Sequence, residues 1–172
     1  MTLNALTTTR ARTTPVASSP PEFAVRAVCA LLALAVSGVH VADQGGIAAF
    51  TSPGWLGWSY RLIEAGGVLT AAALLWPRSL LWPRSLRAPW TARLGWTAAV
   101  LLGAGPFAGY LASRSIGLPG DPGDVGNWDY WTGTVSLILE AALVLLSAST
   151  LIADRRQVAR AGSPPAGRSG GR

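Results

Sequence analysis

Apolar residues fall along this chain in four long runs, separated by polar, proline-rich or glycine-rich stretches. The runs cover about residues 23–42, 57–76, 92–113 and 130–153. A helix needs roughly 20 residues to cross the hydrocarbon core of a bilayer, and each run meets that length. The pattern predicts an all-α chain, a transmembrane bundle of four helices. Residues 1–22 and 154–172, rich in Ser, Thr, Pro, Gly and Arg, read as disordered tails. Pro106 lies inside the third run, where its missing N–H is expected to kink the helix.

Composition supports the same class. Half of the 172 residues are hydrophobic and only 13% are charged, about half the share usual in a soluble domain. All 14 basic residues are Arg, and the net charge is +6. They form no basic patch interleaved with aromatic residues, so nucleic acid is not an expected partner. They flank the apolar runs instead. Arg10, Arg12 and Arg26, then Arg78, Arg84, Arg87 and Arg93, then Arg155, Arg156, Arg160, Arg168 and Arg172 fall on one side. Arg61 and Arg114 fall on the other. The positive-inside rule then places both termini and the middle connection in the cytoplasm, in a multi-pass plasma-membrane protein. A cleaved signal peptide is a poorer reading of the first run, because His40 and Asp43 interrupt any small-x-small cleavage site. The middle connection repeats "WPRSL" at residues 76–80 and 82–86, setting Trp beside Arg at headgroup level.

Polar groups inside the runs are where chemistry is to be sought. A charge at a helix centre costs about 2.5–3.5 kcal/mol on insertion scales, so it turns inward and takes a partner. Arg26, Ala30, Ala33, Ser37 and His40 share one helical face, as do Tyr60, Glu64, Gly67 and Ala71. Gly133, Ser136, Glu140 and Ser147 form a third stripe, and Gly105 with Gly109 makes a GxxxG pair expected to let two helices approach closely. His40, Arg61, Glu64, Arg114 and Glu140 all fall in the outer half of the bundle, with Tyr60, Tyr110, Ser136 and Asp129 in support. Glu140 lies roughly 15 Å below the outer end of its helix, near the midplane. A carboxyl there either keeps a proton or pairs with a cation.

That set has limits. His40, Glu64 and Glu140 would supply three metal ligands, though no motif such as HExxH backs them. The single His excludes bis-His haem within one chain. Cys29 stands alone, which excludes an intramolecular disulfide or a CxxC pair. No catalytic signature is present, so the reading leans away from an enzyme.

The connection "RSIGLPGDPGDVGNWDYW", residues 114–131, places glycine at every third position over a short span. It is too short for collagen and reads as Pro-Gly turns. Asp121 and Asp124 lack the spacing of a calcium loop. Asn127 or Asp129 is expected to cap the fourth helix, with Trp128, Tyr130 and Trp131 as an aromatic belt matched by Trp55 and Trp58. Together the two outer connections would form a lid over the polar cluster.

His40 in the first run, Glu64 in the second, "SRSIGLPG" after the third and "SLILE" in the fourth resemble small four-span membrane proteins of high-GC actinobacteria, over about residues 24–153. The resemblance implies a bacterial plasma-membrane protein and no particular activity. Through Arg26, His40 and "EAGGVLTAAALL" the chain is also similar, more weakly, to DoxX-like four-helix membrane proteins, which implies association with respiratory or thiol-redox complexes. The leading functional expectation is an outward-facing polar pocket for a small ligand, proton or metal ion, in an accessory, sensory or transport-related component. The alternatives are a structural subunit of a larger membrane complex and a DoxX-like redox protein. Expected partners are the lipid bilayer, other membrane subunits or a second copy of the chain.

Overall fold

A computed structural model describes residues 20–76 and 89–161, with side chains over 22–76 and 93–160. Arg10, Arg12, Arg78, Arg84, Arg87, Arg168 and Arg172, and most of the WPRSL repeat, lie outside the described residues. The described residues are all-α, with α1 Pro20–Asp43, α2 Gly54–Leu75, α3 Pro89–Ser115 and α4 Trp131–Ala161. Among the described residues three helices are long and apolar enough to cross a membrane, over Glu22–Asp43, Arg93–Ser115 and Trp131–Arg160. The α2 helix falls short. Its first half carries Ser59, Tyr60, Arg61 and Glu64, which offset the apolar run that follows.

Each helix packs mainly on two neighbours, α1 on α2 and α4 and α3 on α2 and α4, with a smaller α1–α3 contact across the bundle. The expected faces are the buried ones. Ala30, Ala33, Val36 and Ser37 of α1 are buried, as are Ser136, Glu140, Leu143 and Ser147 of α4. Leu74 of α2 and Trp96 and Ala99 of α3 complete a core built largely from small side chains. Between apolar helices in lipid, association comes from van der Waals fit, which small residues permit by letting backbones approach.

Glycine provides that fit at positions other than the GxxxG pair. A Cβ on Gly67 would lie 2.5 Å from the Ala33 carbonyl oxygen and against Ser37 Oγ, so α1 and α2 touch there. A Cβ on Gly103 would lie 2.7 Å from the Glu140 carbonyl oxygen, bringing α3 onto α4. Gly105 and Gly109 have nothing within 4 Å of where a Cβ would stand. The expected contact is therefore corrected. The GxxxG pair opens space, because it lies on the α3 face turned toward a cavity and away from the α4 seam.

The end of α1 opposite His40 is anchored by Arg26, which pairs with Glu22 at 2.8 Å, donates to the Leu74 carbonyl at 3.4 Å and lies over the Trp96 ring. Helix α3 runs unbroken through Pro106. Helix α4 passes the expected boundary at residue 153 and continues to Ala161. Residues 154–161 contain no Gly or Pro, and Arg93 Nε meets Asp154 Oδ2 at 2.8 Å, so the helix has no local reason to stop.

The connection after α3 is a series of turns. Leu118 and Asp121 exchange backbone hydrogen bonds across Pro119-Gly120, and Gly120 has φ +80°. Pro followed by a left-handed Gly is type II turn chemistry. The Gly126 N–H donates to the Arg114 carbonyl at 2.9 Å, folding the segment back on the end of α3. Trp55 Nε1 donates to the Pro119 carbonyl at 3.0 Å and joins the start of α2 to this connection. The cap of α4 differs from expectation. The Tyr130 carbonyl accepts from Thr134 N–H, while Asp129 is exposed and makes no side-chain hydrogen bond or ion pair among the described residues.

Candidate functional site

Because Gly105, Pro106 and Gly109 of α3 carry little side-chain bulk, the four helices leave a cavity of about 840 Å³ toward the end where α1 finishes and α4 begins. Its walls take residues from all four helices, and Leu118, Asp121, Asp124 and Asn127 of the α3–α4 connection also line it. A volume of several hundred Å³, mostly apolar with a few placed polar groups, is that of a small-molecule site.

Glu140 is the deepest ionisable group of the lining, about 14 Å along α4 from its start. Its side chain is 1% exposed. Oε1 accepts a hydrogen bond from Ser136 Oγ, one turn earlier on the same stripe. Oε2 is buried and has no hydrogen-bond partner. His40 Nε2 stands 3.8 Å from Oε1, a charge-pair distance longer than a hydrogen bond. The other ring nitrogen, Nδ1, lies 2.9 Å from the Val36 carbonyl, which only accepts, so Nδ1 carries a proton and donates. Nε2 and the carboxylate would then face each other as two acceptors. The pair accommodates one proton, as imidazolium facing carboxylate or as imidazole facing carboxylic acid.

Above them Asp43, at the last turn of α1, accepts from two tyrosines. Tyr60 OH donates to Oδ2 at 2.6 Å and Tyr130 OH donates to Oδ1. One carboxylate therefore joins α1, α2 and the start of α4. Tyr60 also packs its ring on His40, with centroids 5.5 Å apart. Arg114, buried at the end of α3, pairs with Asp124. Its guanidinium lies 4.8 Å over the Tyr110 ring and 5.6 Å from that of Tyr130.

Of the expected pocket residues, His40, Arg114 and Glu140 line the cavity together with Tyr60, Tyr110 and Ser136. Arg61, Glu64 and Asp129 do not. Glu64 is turned beneath the α1–α2 connection, where Gln44 Nε2 donates to Oε1 and Arg61 donates to Oε2, both at 2.6 Å. Arg61 also donates to the Ala49 carbonyl, so this pair fastens the connection to α2. The metal set of His40, Glu64 and Glu140 is thereby broken up. Among the described residues no three His, Cys, Asp or Glu side chains are grouped to hold a metal ion. Asp43 and Tyr130 are the residues that sequence reasoning missed. Asp43 follows His40 by three positions and so shares its helical face, while Tyr130 belongs by sequence to the aromatic belt at the start of the fourth run.

No protein-family model, curated protein or solved structure matches the chain. The functional reading rests on the site's own geometry.

Proposed function

We propose that the chain is a four-span plasma-membrane protein, both termini cytoplasmic, whose cavity is an outward-facing pocket for a small ligand. Its role is that of an accessory, sensory or transport-related component. The observation that carries the reading is the conjunction of a cavity of about 840 Å³ with a buried, partnerless carboxylate oxygen on its wall. A buried acceptor left without a donor costs about 1–3 kcal/mol, and more when charged. A chain serving only as packing has no use for that cost, whereas a binding site recovers it when a ligand supplies the donor.

Arginine placement supports the orientation, and α2 supports the span count. Its charged pair, Arg61 and Glu64, is internally neutralised at 2.6 Å, leaving the following three turns or so apolar apart from Thr70. Cysteine accessibility tests the orientation and the pocket together, because Cys29 is buried and is the lone cysteine of the chain. With Cys29 replaced by Ala, Gly109→Cys in intact cells is expected to react with a membrane-impermeant maleimide from outside. Arg155→Cys is expected to react only after permeabilisation. The reverse pattern would refute the orientation, and a Gly109→Cys thiol closed to both sides would refute an accessible pocket.

A further inference from the structure

We infer that the pocket takes an amphipathic amine, with its ammonium group at Glu140 and its apolar body along the α2–α3 wall. This rests on the pocket reading above and names its ligand class.

Charge is the first argument. Asp43, Asp121, Asp124 and Glu140 line the cavity, against Arg114 and His40. Arg114 is offset in charge by its ion pair with Asp124, though its Nε makes no hydrogen bond, and the two tyrosines on Asp43 bring hydrogen bonds without positive charge. The lining stays net negative even with an imidazolium at His40, which favours a cation. The second argument is the donor count at Glu140. Oε1 accepts from Ser136, and the buried Oε2 has no hydrogen-bond partner. An ammonium group has three donors and no acceptor, so it satisfies Oε2 and displaces the proton that His40 and Glu140 otherwise hold between them.

The wall itself specifies the remainder of the ligand. Leu62 of α2 and Leu101 of α3 line the cavity and are 72% and 66% exposed. The cavity therefore reaches the apolar exterior between α2 and α3, where Gly105 and Gly109 leave room. An alkyl chain fits that slot. A compact hydrophilic cation would leave it unfilled.

A free alkylamine and a lipid with an ethanolamine headgroup share this chemistry. The test is binding of octylammonium, octanol and octanoate to the full-length protein in phosphatidylcholine nanodiscs, measured calorimetrically against empty discs. Octylammonium is expected to bind saturably, with octanol and octanoate weaker by about tenfold or more, the difference that goes with a charge-assisted hydrogen bond. Glu140→Gln should lose a similar factor. Gly105→Leu fills the slot without altering any charge and should abolish binding, and it serves if the Glu140 variant does not fold. Phosphatidylethanolamine in the discs will compete if the lipid is the source and leave affinity unchanged if it is not; either result keeps the ammonium at Glu140. Equal or tighter binding of octanol or octanoate, or full retention in Glu140→Gln, overturns the amine and leaves the pocket standing. Absence of saturable binding by all three to the folded wild-type protein overturns both.

Discussion

The chemistry of individual positions turns on what each side chain faces. Glycine shows this most sharply. Gly67 and Gly103 are closed off by carbonyl oxygens of the facing helix at 2.5 and 2.7 Å, while Gly105 meets nothing within 4 Å. Gly67→Ala and Gly103→Ala are expected to destabilise the protein by about 1–3 kcal/mol, the cost of overpacking. Gly105→Ala should leave stability unchanged or raise it by up to about 1 kcal/mol, since helical glycine is entropically costly. Thermal unfolding in detergent separates the two classes, and equal effects at both would mean the seams are misplaced. Glu140 makes the complementary case. Replacing its buried, partly unsatisfied carboxylate by Gln keeps an acceptor for Ser136 and removes a charge. Glu140→Gln is expected to preserve stability or raise it by about 1 kcal/mol, even as it weakens ligand binding. A fall in the thermal midpoint would show that the carboxylate holds the fold together.

At the scale of elements, the helices are joined by polar contacts at their ends more than by a large apolar interior. Asp43 binds Tyr60 and Tyr130 and so fixes the end of α1 to two other helices. Asp43→Asn weakens two hydrogen bonds to a charged acceptor, each of a kind worth about 1.5–3 kcal/mol. The expected result is a clear drop in thermal midpoint, larger than that of Asp154→Asn. The Arg93–Asp154 pair is about half-exposed on the carboxylate side, and such pairs contribute about 0–1 kcal/mol. The Trp55 indole holds the start of α2 to the Pro119 turn above the cavity. Trp55→Phe keeps the ring and removes the hydrogen bond, so it should speed maleimide modification of a Gly109→Cys thiol without lowering the thermal midpoint appreciably. Unchanged labelling would mean that this contact does not restrict access.

For the whole molecule, the labour is divided between its two ends. The end with Arg26 is packed from Cys29, Leu74, Trp96 and neighbouring small residues, whereas the end with His40 holds the cavity and its carboxylates. Truncating the buried Leu74 to Ala is expected to cost about 2–5 kcal/mol in stability. Its effect on octylammonium affinity should stay within about twofold, as for sites without shared partners. A matching loss of affinity would show that the packed end and the pocket are coupled.

What the sequence by itself determined is the core of the four helical stretches and the buried faces of α1, α2 and α4. Apolar run length and helical spacing are local quantities, so Ala30, Ala33, Ser136, Glu140 and Ser147 are legible without any neighbour. Only the tertiary structure decided which polar groups on those faces meet. Glu64 and Glu140 both sit on inward stripes, yet Gln44 and Arg61 draw the first beneath a connection while the second is left on the cavity wall. Gly105 and Gly109 carry the spacing of a close seam, but the seam formed at Gly103, because α4 crosses α3 one face around and leaves the pair open. Which side of α3 meets α4 is not written in the glycine spacing, since Gly103 lies about 200° around the helix from Gly105. It is fixed by the fit of neighbouring backbones, and here that fit decides where the cavity lies.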